Sequence, residues 1–433
     1  MTGEAATLHR GVGLSGVVML GAGTAIGVSI FSVLQPAAQV AGSGLLVAML
    51  VAALPMLLFA ICYAYLASAV PVSGASYEWP RRFLHPSIGF AIAWLRILGN
   101  VGALTVLGRV LVNYLGMAFA IPTTPVVAAA ITLVFALNYR GVAVAARVQT
   151  VLMLALIAVL AIFVGAGLPQ AHVSTLGSPL ASGGWAIAAC VPLMISLFLG
   201  IESSVEIGEE VRAPRRTIPL GIGLAIGLTI CIYGAVAVTA LALIGPGALA
   251  ASKAPLLDAA RAPLGRWALP LVLCAATVSI LKTMNATAMV FARSIFAMAR
   301  EGAMPAALAA VHPRYGTPHR AVVACYLCAM AGLLLPSSLV FLLLAVNIPT
   351  MLKYLACSLA AVRVADGHPD LHARALPFGR GTVRRVGYAA AAAAVAIILA
   401  GLGADWRPYL LVAVWLAVGM TGYVVSWRRR PPR

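Results

Sequence analysis

Apolar runs, most of them about 20 residues or longer, recur from Gly11 to Trp427, parted by short polar or Pro/Gly-rich pauses. Runs of this length match the hydrocarbon thickness of a bilayer and lack the alternation of barrel strands, so they read as transmembrane helices. The pattern predicts twelve spans, at about 11–36, 42–69, 87–116, 124–139, 147–167, 184–208, 217–244, 266–299, 319–335, 337–361, 386–403 and 407–427. Inside the first run the helical pattern weakens. Gly21, Gly23 and Gly27 fall within seven residues, with Thr24 and Ser29 close by. Each glycine forfeits roughly 1 kcal/mol of helix stability against alanine, so the helix is predicted to open there. An opened backbone survives in a bilayer only where it lines a cavity or meets partners, which makes Gly23, Thr24, Ile26, Gly27, Val28 and Ser29 a candidate binding site. The half-helix that starts after the break would present unpaired N–H donors and a positive dipole end, suited to a carboxylate.

Span six has the same grammar: a long apolar approach, then Phe198-Leu199-Gly200-Ile201-Glu202-Ser203-Ser204, where a second opening is expected. The two breaks stand about 175 residues apart and each opens a block of five spans; an odd number per block turns the second block upside down. Two broken helices at matching repeat positions point to a midplane site in a secondary transporter. The expected organisation is one polytopic membrane domain over residues 1–433, with repeat one at about 11–167, repeat two at about 184–361 and two extra helices at about 386–427. Between spans two and three, Pro71 to Pro80 combines turn formers with Tyr77 and Trp79 and reads as an interfacial or re-entrant piece. Val364 to Arg385 reads as a polar cytoplasmic loop.

Composition rules out a soluble chain: 62% of the 433 residues are hydrophobic and 9% charged. The net charge of +18 does not point to nucleic acid, because the basic residues are scattered through short loops. With a cytoplasmic N-terminus, the inner segments hold twenty arginines and the outer ones only Lys253, Arg261, Arg266 and Arg407. That bias predicts a multi-pass protein of the cytoplasmic (inner) membrane with both termini inside. Met1 to Arg10 reads as the lead into a retained first helix rather than a signal peptide. The seven cysteines all fall in spans, as small packing residues; the Cys325/Cys328 spacing alone is a weak metal or redox signal.

Two acids lie within the spans, Glu202 and Glu206, and intramembrane carboxylates are functional by default. The bland alternative is structural pairing with the deep cations Arg96 on span three and Lys282 on span eight, or with the cluster Arg212, Arg215 and Arg216. Arg109, Arg293 and Lys353 are expected to snorkel or pair near helix ends. Asn100, one turn after Arg96, could read a polar substrate group or bind a neighbouring helix. The sequence holds no HExxH, no Gly-x-Ser-x-Gly elbow and no Walker lysine, so neither an enzyme nor an ATP-driven pump is expected, and no cofactor or metal. Energy is expected from a proton gradient, from exchange or from sodium.

Four stretches, in order and at the right spans, resemble the amino acid–polyamine–organocation (APC) superfamily of transporters. Ile26-Gly27-Val28-Ser29-Ile30-Phe31 is similar to the Gly-rich break of span one; Val28 and Ser29 stand where Ser-Gly is usual, a bulkier cradle. Pro71-Val72-Ser73-Gly74-Ala75-Ser76-Tyr77 resembles the loop after span two. Phe198-x-Gly200-x-Glu202-Ser203, followed by Glu209-Glu210-Val211-Arg212-x-Pro214-Arg215-Arg216-x-Ile218-Pro219, resembles the end of span six, and Ala297-Met298-Ala299-Arg300-Glu301-Gly302-x-x-Pro305 the exit of span eight. The resemblance implies a leucine-transporter-like fold in which the broken parts of spans one and six hold the substrate's carboxylate and amino group. It implies that Phe198, Gly200 and Ile201 join the site, that Glu202 matches a span-six glutamate, and that Asn100 lies where an arginine/agmatine antiporter branch contacts substrate. Thr287 stands near a large aromatic of an antiporter relative, and span five, around Leu156, offers no lysine of the kind some proton-coupled relatives use.

The leading expectation is a secondary transporter of amino acids, by proton symport or exchange, as a monomer or homodimer among membrane lipids. A polyamine or basic amino acid antiporter is the alternative, and a non-transporting membrane sensor or scaffold the reading from a different class. Neutral amino acids are favoured because Arg96 and Lys282 compete for the two acids. Glu202, Glu206, Lys282 and Arg96 are the candidates for coupling or gating, with Glu202 expected to release a proton unless a cation lies close.

Overall fold

Where glycine and hydroxyl residues interrupt the apolar pattern, the helices of the computed structural model stop and restart. The structure describes residues 11–27, 29–334, 339–402 and 406–428, so Val28 and both termini, including the residues on which the expected topology of the ends rests, lie outside it. The first run divides into α1 (Leu14–Ala25) and α2 (Ser29–Ala41). Then come α3 (Leu45–Ala69), the short α4 (Ala75–Phe83), α5 (Pro86–Leu115), α6 (Thr123–Tyr139), α7 (Val142–Gly167) and a four-residue turn, α8 (Val173–Leu176). The sixth run gives α9 (Gly183–Ile195) and then only 3-10 turns at Ile201–Glu206 and Gly208–Glu210. The remainder is α10 (Pro214–Ala251), α11 (Pro255–Leu264), α12 (Ala268–Arg300), α13 (His319–Ala331), α14 (Leu339–Gly367), α15 (Pro369–Arg374), α16 (Arg380–Leu402) and α17 (Arg407–Arg428).

Among the described residues nine helical stretches are long and apolar enough to cross a bilayer, and three shorter apolar ones stand at Thr123–Tyr139, Gly183–Ile195 and His319–Leu334. The short helix α4 occupies the stretch expected to be interfacial. Three boundaries differ from expectation. Helix α14 continues to Gly367, α15 follows and α16 already starts at Arg380, so most of the expected 364–385 loop is helical; Pro369 opens α15, where a missing N–H costs nothing. Helix α10 runs beyond the expected end near 244, but Gly245, at φ +75°, turns the chain so that the extension is a separate short piece.

Helix α1 lies centrally, packed against α10, α7, α12 and the Ile201–Glu206 turn. Close approach is possible because the contact residues are small: a side chain on Gly21 would sit 2.7 Å from the Ile201 carbonyl oxygen. In a bilayer, where the hydrophobic effect does not pull helices together, such small-residue seams supply the packing. Lipid-facing positions are large and apolar, as at Leu50, Leu54, Val151, Leu154, Leu410 and Val414.

Charged residues gather at one end of the bundle. Glu210 and Arg293, each 2% exposed at the side chain, form a two-pronged ion pair of 2.8 and 3.3 Å. Arg300 grips Glu209 at 3.0 and 3.1 Å, and Arg81 joins Glu78 to Glu301, both at 3.0 Å. The Glu209-Glu210 motif thus closes on the exit of α12. Arg293, expected near a helix end to snorkel or pair, is fully buried and paired.

Candidate functional site

The α1 break is held by side chains from two other helices. Its last helical bond runs from Ile26 N–H to the Ala22 carbonyl (2.6 Å), and Gly27 N–H turns back to the Ala25 carbonyl (2.7 Å). Tyr233 of α10 bridges the gap: its hydroxyl donates to the Ala25 carbonyl at 2.8 Å and accepts from Gly27 N–H at 3.0 Å. The ammonium of Lys282, on α12 and fully buried, donates to the carbonyl oxygens of Gly23 and Ile26. Four of the groups freed when the helix opens, the Gly23, Ala25 and Ile26 carbonyls and Gly27 N–H, are therefore satisfied, as a bilayer interior requires. Gly27 is needed for the closeness, because a side-chain carbon there would lie 2.7 Å from Thr283 Oγ1 of α12.

The second break faces the first. Helix α9 unwinds through short bonds from Ser196 to Phe198, and Gly200 takes φ +99°, a left-handed conformation that suits glycine. A Cβ on Gly200 would lie 2.4 Å from Thr24 Cγ2. Ser29 Oγ, at the start of α2, donates to the Ser196 carbonyl at 3.2 Å. Gly23, Thr24, Ile26, Gly27, Ser29, Gly200 and Ile201 are thus gathered around one junction, with Phe198 buried beside it.

Glu202 points away from that junction toward α14. Its carboxylate pairs with Lys353 Nζ and accepts a 2.6 Å hydrogen bond from the Tyr354 hydroxyl. The lysine also lies over the rings of Tyr354 (4.6 Å) and Tyr63 (5.8 Å). Here the expected pairing is corrected: Glu202 has Lys353 as its cation, not Arg96 or Lys282. Lys353 therefore does not snorkel, since an anion and two aromatic faces satisfy it in place. The condition under which Glu202 would release a proton, no cation close by, is not met.

Glu206 is also uncoupled from the cations that sequence reasoning offered it. Its carboxylate accepts from Ser76 N–H at 3.4 Å and its backbone carbonyl from Gly74 N–H at 3.0 Å, tying it to the segment before α4. Glu206 Oε1 and Arg96 Nε are buried without a hydrogen-bond partner. Asn100 lies on α5 with Nδ2 buried and unpartnered, and Thr287 bonds only the Thr283 carbonyl of its own helix. The two are not joined to the α1 junction by any hydrogen bond among the described residues.

Sequence reasoning missed Tyr233, Tyr354 and the buried amides Asn138, Gln149 and Asn285, and expected Lys353 to snorkel or pair near a helix end without naming its partner. For Lys353 the signal was present: a lysine in mid-span beside tyrosine needs an anion. For Tyr233, one aromatic in an apolar helix, there was none.

A helical membrane bundle whose two broken helices meet at a polar, glycine-packed junction fits a transporter. The chain belongs to the amino acid permease family, which it matches over residues 12–426. This agrees with the superfamily resemblance carried by its motifs. An uncharacterised transporter of Mycobacterium tuberculosis H37Rv is 35% identical, covering 75% of this chain and 74% of that protein. The methylthioribose transporter and the branched-chain amino acid permease BcaP of Bacillus subtilis are each 26% identical, covering 98% of this chain and 94% of theirs. A vacuolar cationic amino acid transporter of Arabidopsis thaliana is 25% identical over 74% of the chain.

Proposed function

We propose that this permease carries neutral amino acids across the cytoplasmic membrane by alternating access, coupled to protons, with Lys282 as the coupling group. The observation that carries the reading is the ammonium of Lys282 on the Gly23 and Ile26 carbonyls. Carbonyls at the end of a broken half-helix are where such carriers hold a coupling cation. Here the chain's own ammonium takes those oxygens, leaving them filled against sodium. No carboxylate among the described residues forms an ion pair with Lys282, so loss of its proton strands no anion. The substrate's carboxylate is assigned to the start of α2, by the preference of a helix N-terminus for anions.

Neutral substrates follow from Glu202. A basic amino acid or polyamine needs a free carboxylate at the junction for its second cation; Glu202 is already committed to Lys353 and Tyr354, and Glu206, though without a cation, is tied to Gly74 and Ser76 before α4. The neutral substrates in the names of the two Bacillus relatives support the same choice. In this reading the breaks open two inverted five-helix blocks, with α16 and α17 added outside them.

The test is uptake of a radiolabelled amino-acid and polyamine panel into proteoliposomes, with pH and sodium gradients imposed separately. Neutral amino acids driven by the pH gradient alone, and loss of that drive in Lys282→Met, are expected. Sodium-driven uptake, or accumulation of polyamines only, would refute the reading.

A further inference from the structure

Beside the Lys282 contacts lies a row of three amides. Asn138 of α6, Gln149 of α7 and Asn285 of α12 are each 1% exposed. Asn138 Nδ2 donates to Asn285 Oδ1 at 3.0 Å, and Asn285 Nδ2 donates to Gln149 Oε1 at 3.2 Å and to the Ala145 carbonyl at 3.1 Å. The donor direction is the same at both links. It leaves a free donor, Gln149 Nε2, at one end and a free acceptor, Asn138 Oδ1, at the other, both buried and unpartnered.

The free donor ends at Gly23. A methyl group placed on Gly23 would sit 2.5 Å from Gln149 Nε2 and 3.7 Å from Lys282 Cδ, so the two side chains flank the residue whose carbonyl Lys282 holds. A buried donor without an acceptor is costly, and groups of this kind call for an explanation. An ammonium supplies one. It has three N–H donors and no acceptor, so a second donor beside it has nothing to bond. When an Nζ–H bond of Lys282 breaks and the proton passes to water, the electron pair stays on Nζ. The amine then gains the acceptor that Gln149 Nε2 lacks.

We propose that Gln149 is a positioning residue for Lys282, whose Nε2–H donates to the neutral amine and so holds the lysine at the α1 break through the proton-free half of the cycle. This rests on Lys282 as the coupling group. The other titratable groups nearby already have partners: Tyr233 of α10 is engaged on the backbone of the break itself, at Ala25 and Gly27, and Glu202 with Lys353. Arg96 of α5 lies within Coulombic reach of the Lys353 cluster, α1 has no titratable side chain, and Arg147 of α7 is exposed. Arg293, further along α12, is closed by Glu210.

The test needs no substrate. Tm is followed from about pH 5 to about pH 10 in detergent for the full chain, and the step that Lys282→Met abolishes is assigned to Lys282. Gln149→Met, matched in length without the donor, is expected to move that step up by about one pH unit. Gln149→Glu keeps an oxygen for Asn285 and replaces the donor by an acceptor for the ammonium, and should move it further up. A step at the parental pH in either variant that folds overturns the inference. A structural role for Gln149 would lower Tm at all pH values and leave the step in place. If the parent has no Lys282-dependent step, the coupling assignment itself fails, and with it the proposal.

Discussion

Replacing Glu202 by glutamine tests whether this carboxylate is a structural ion-pair partner or a proton carrier. The substitution removes the anion but keeps the shape, leaving the Lys353 side chain, 2% exposed, as a cation between two tyrosine rings. Removing one partner of a buried pair costs about 3–5 kcal/mol, because the remaining charge is uncompensated. The Tyr354 hydroxyl keeps an acceptor in the amide oxygen, so the loss falls on the lysine contact. Glu202→Gln with Lys353→Met removes both charges and should recover most of the stability, with an interaction energy of about 2–3 kcal/mol across the cycle. Denaturation of the four proteins in detergent micelles measures it. Because the group is committed to Lys353, Glu202→Gln should also retain the parental pH profile of uptake. A single variant as stable as the parent, a double variant no better than the worse single one, or a flattened pH profile would refute the reasoning.

Gly200→Ala should lower uptake sharply, since a left-handed conformation costs alanine about 1–2 kcal/mol and its Cβ would meet Thr24 Cγ2 at 2.4 Å; adding Thr24→Ser should restore part of the activity, and full activity in Gly200→Ala alone would disprove the contact. Gly27→Leu should leave a folded protein that binds no substrate, checked by gel filtration and equilibrium binding; retained transport would exclude the α1 break from the site. Tyr233→Phe removes the hydroxyl that bridges Ala25 and Gly27; because Gly27 N–H still bonds the Ala25 carbonyl, the loss should be about 0.5–1.5 kcal/mol, read as a slightly lowered detergent melting temperature.

Length and hydropathy alone determined that the chain is a helical membrane protein, because a bilayer admits few other ways to satisfy a backbone. Gly23 and Gly27, with Gly200, likewise announced both interruptions: helix propensity is local, and a dense glycine cluster lowers it wherever it lies. The partners of the charges were not legible. Lys353 is 151 residues from Glu202 and Lys282 is 259 from Gly23, and nothing in the local pattern ranks Lys353 above Arg96 or Lys282 as an ion-pair partner. Pairing depends on which helix faces which at a given depth. Only the packing of α12 and α14 around the broken helices decided that Lys282 would meet carbonyl oxygens and Glu202 a lysine. The row of Asn138, Gln149 and Asn285 was hidden for the same reason, since three amides on three helices become one hydrogen-bonded chain only when α6, α7 and α12 come together.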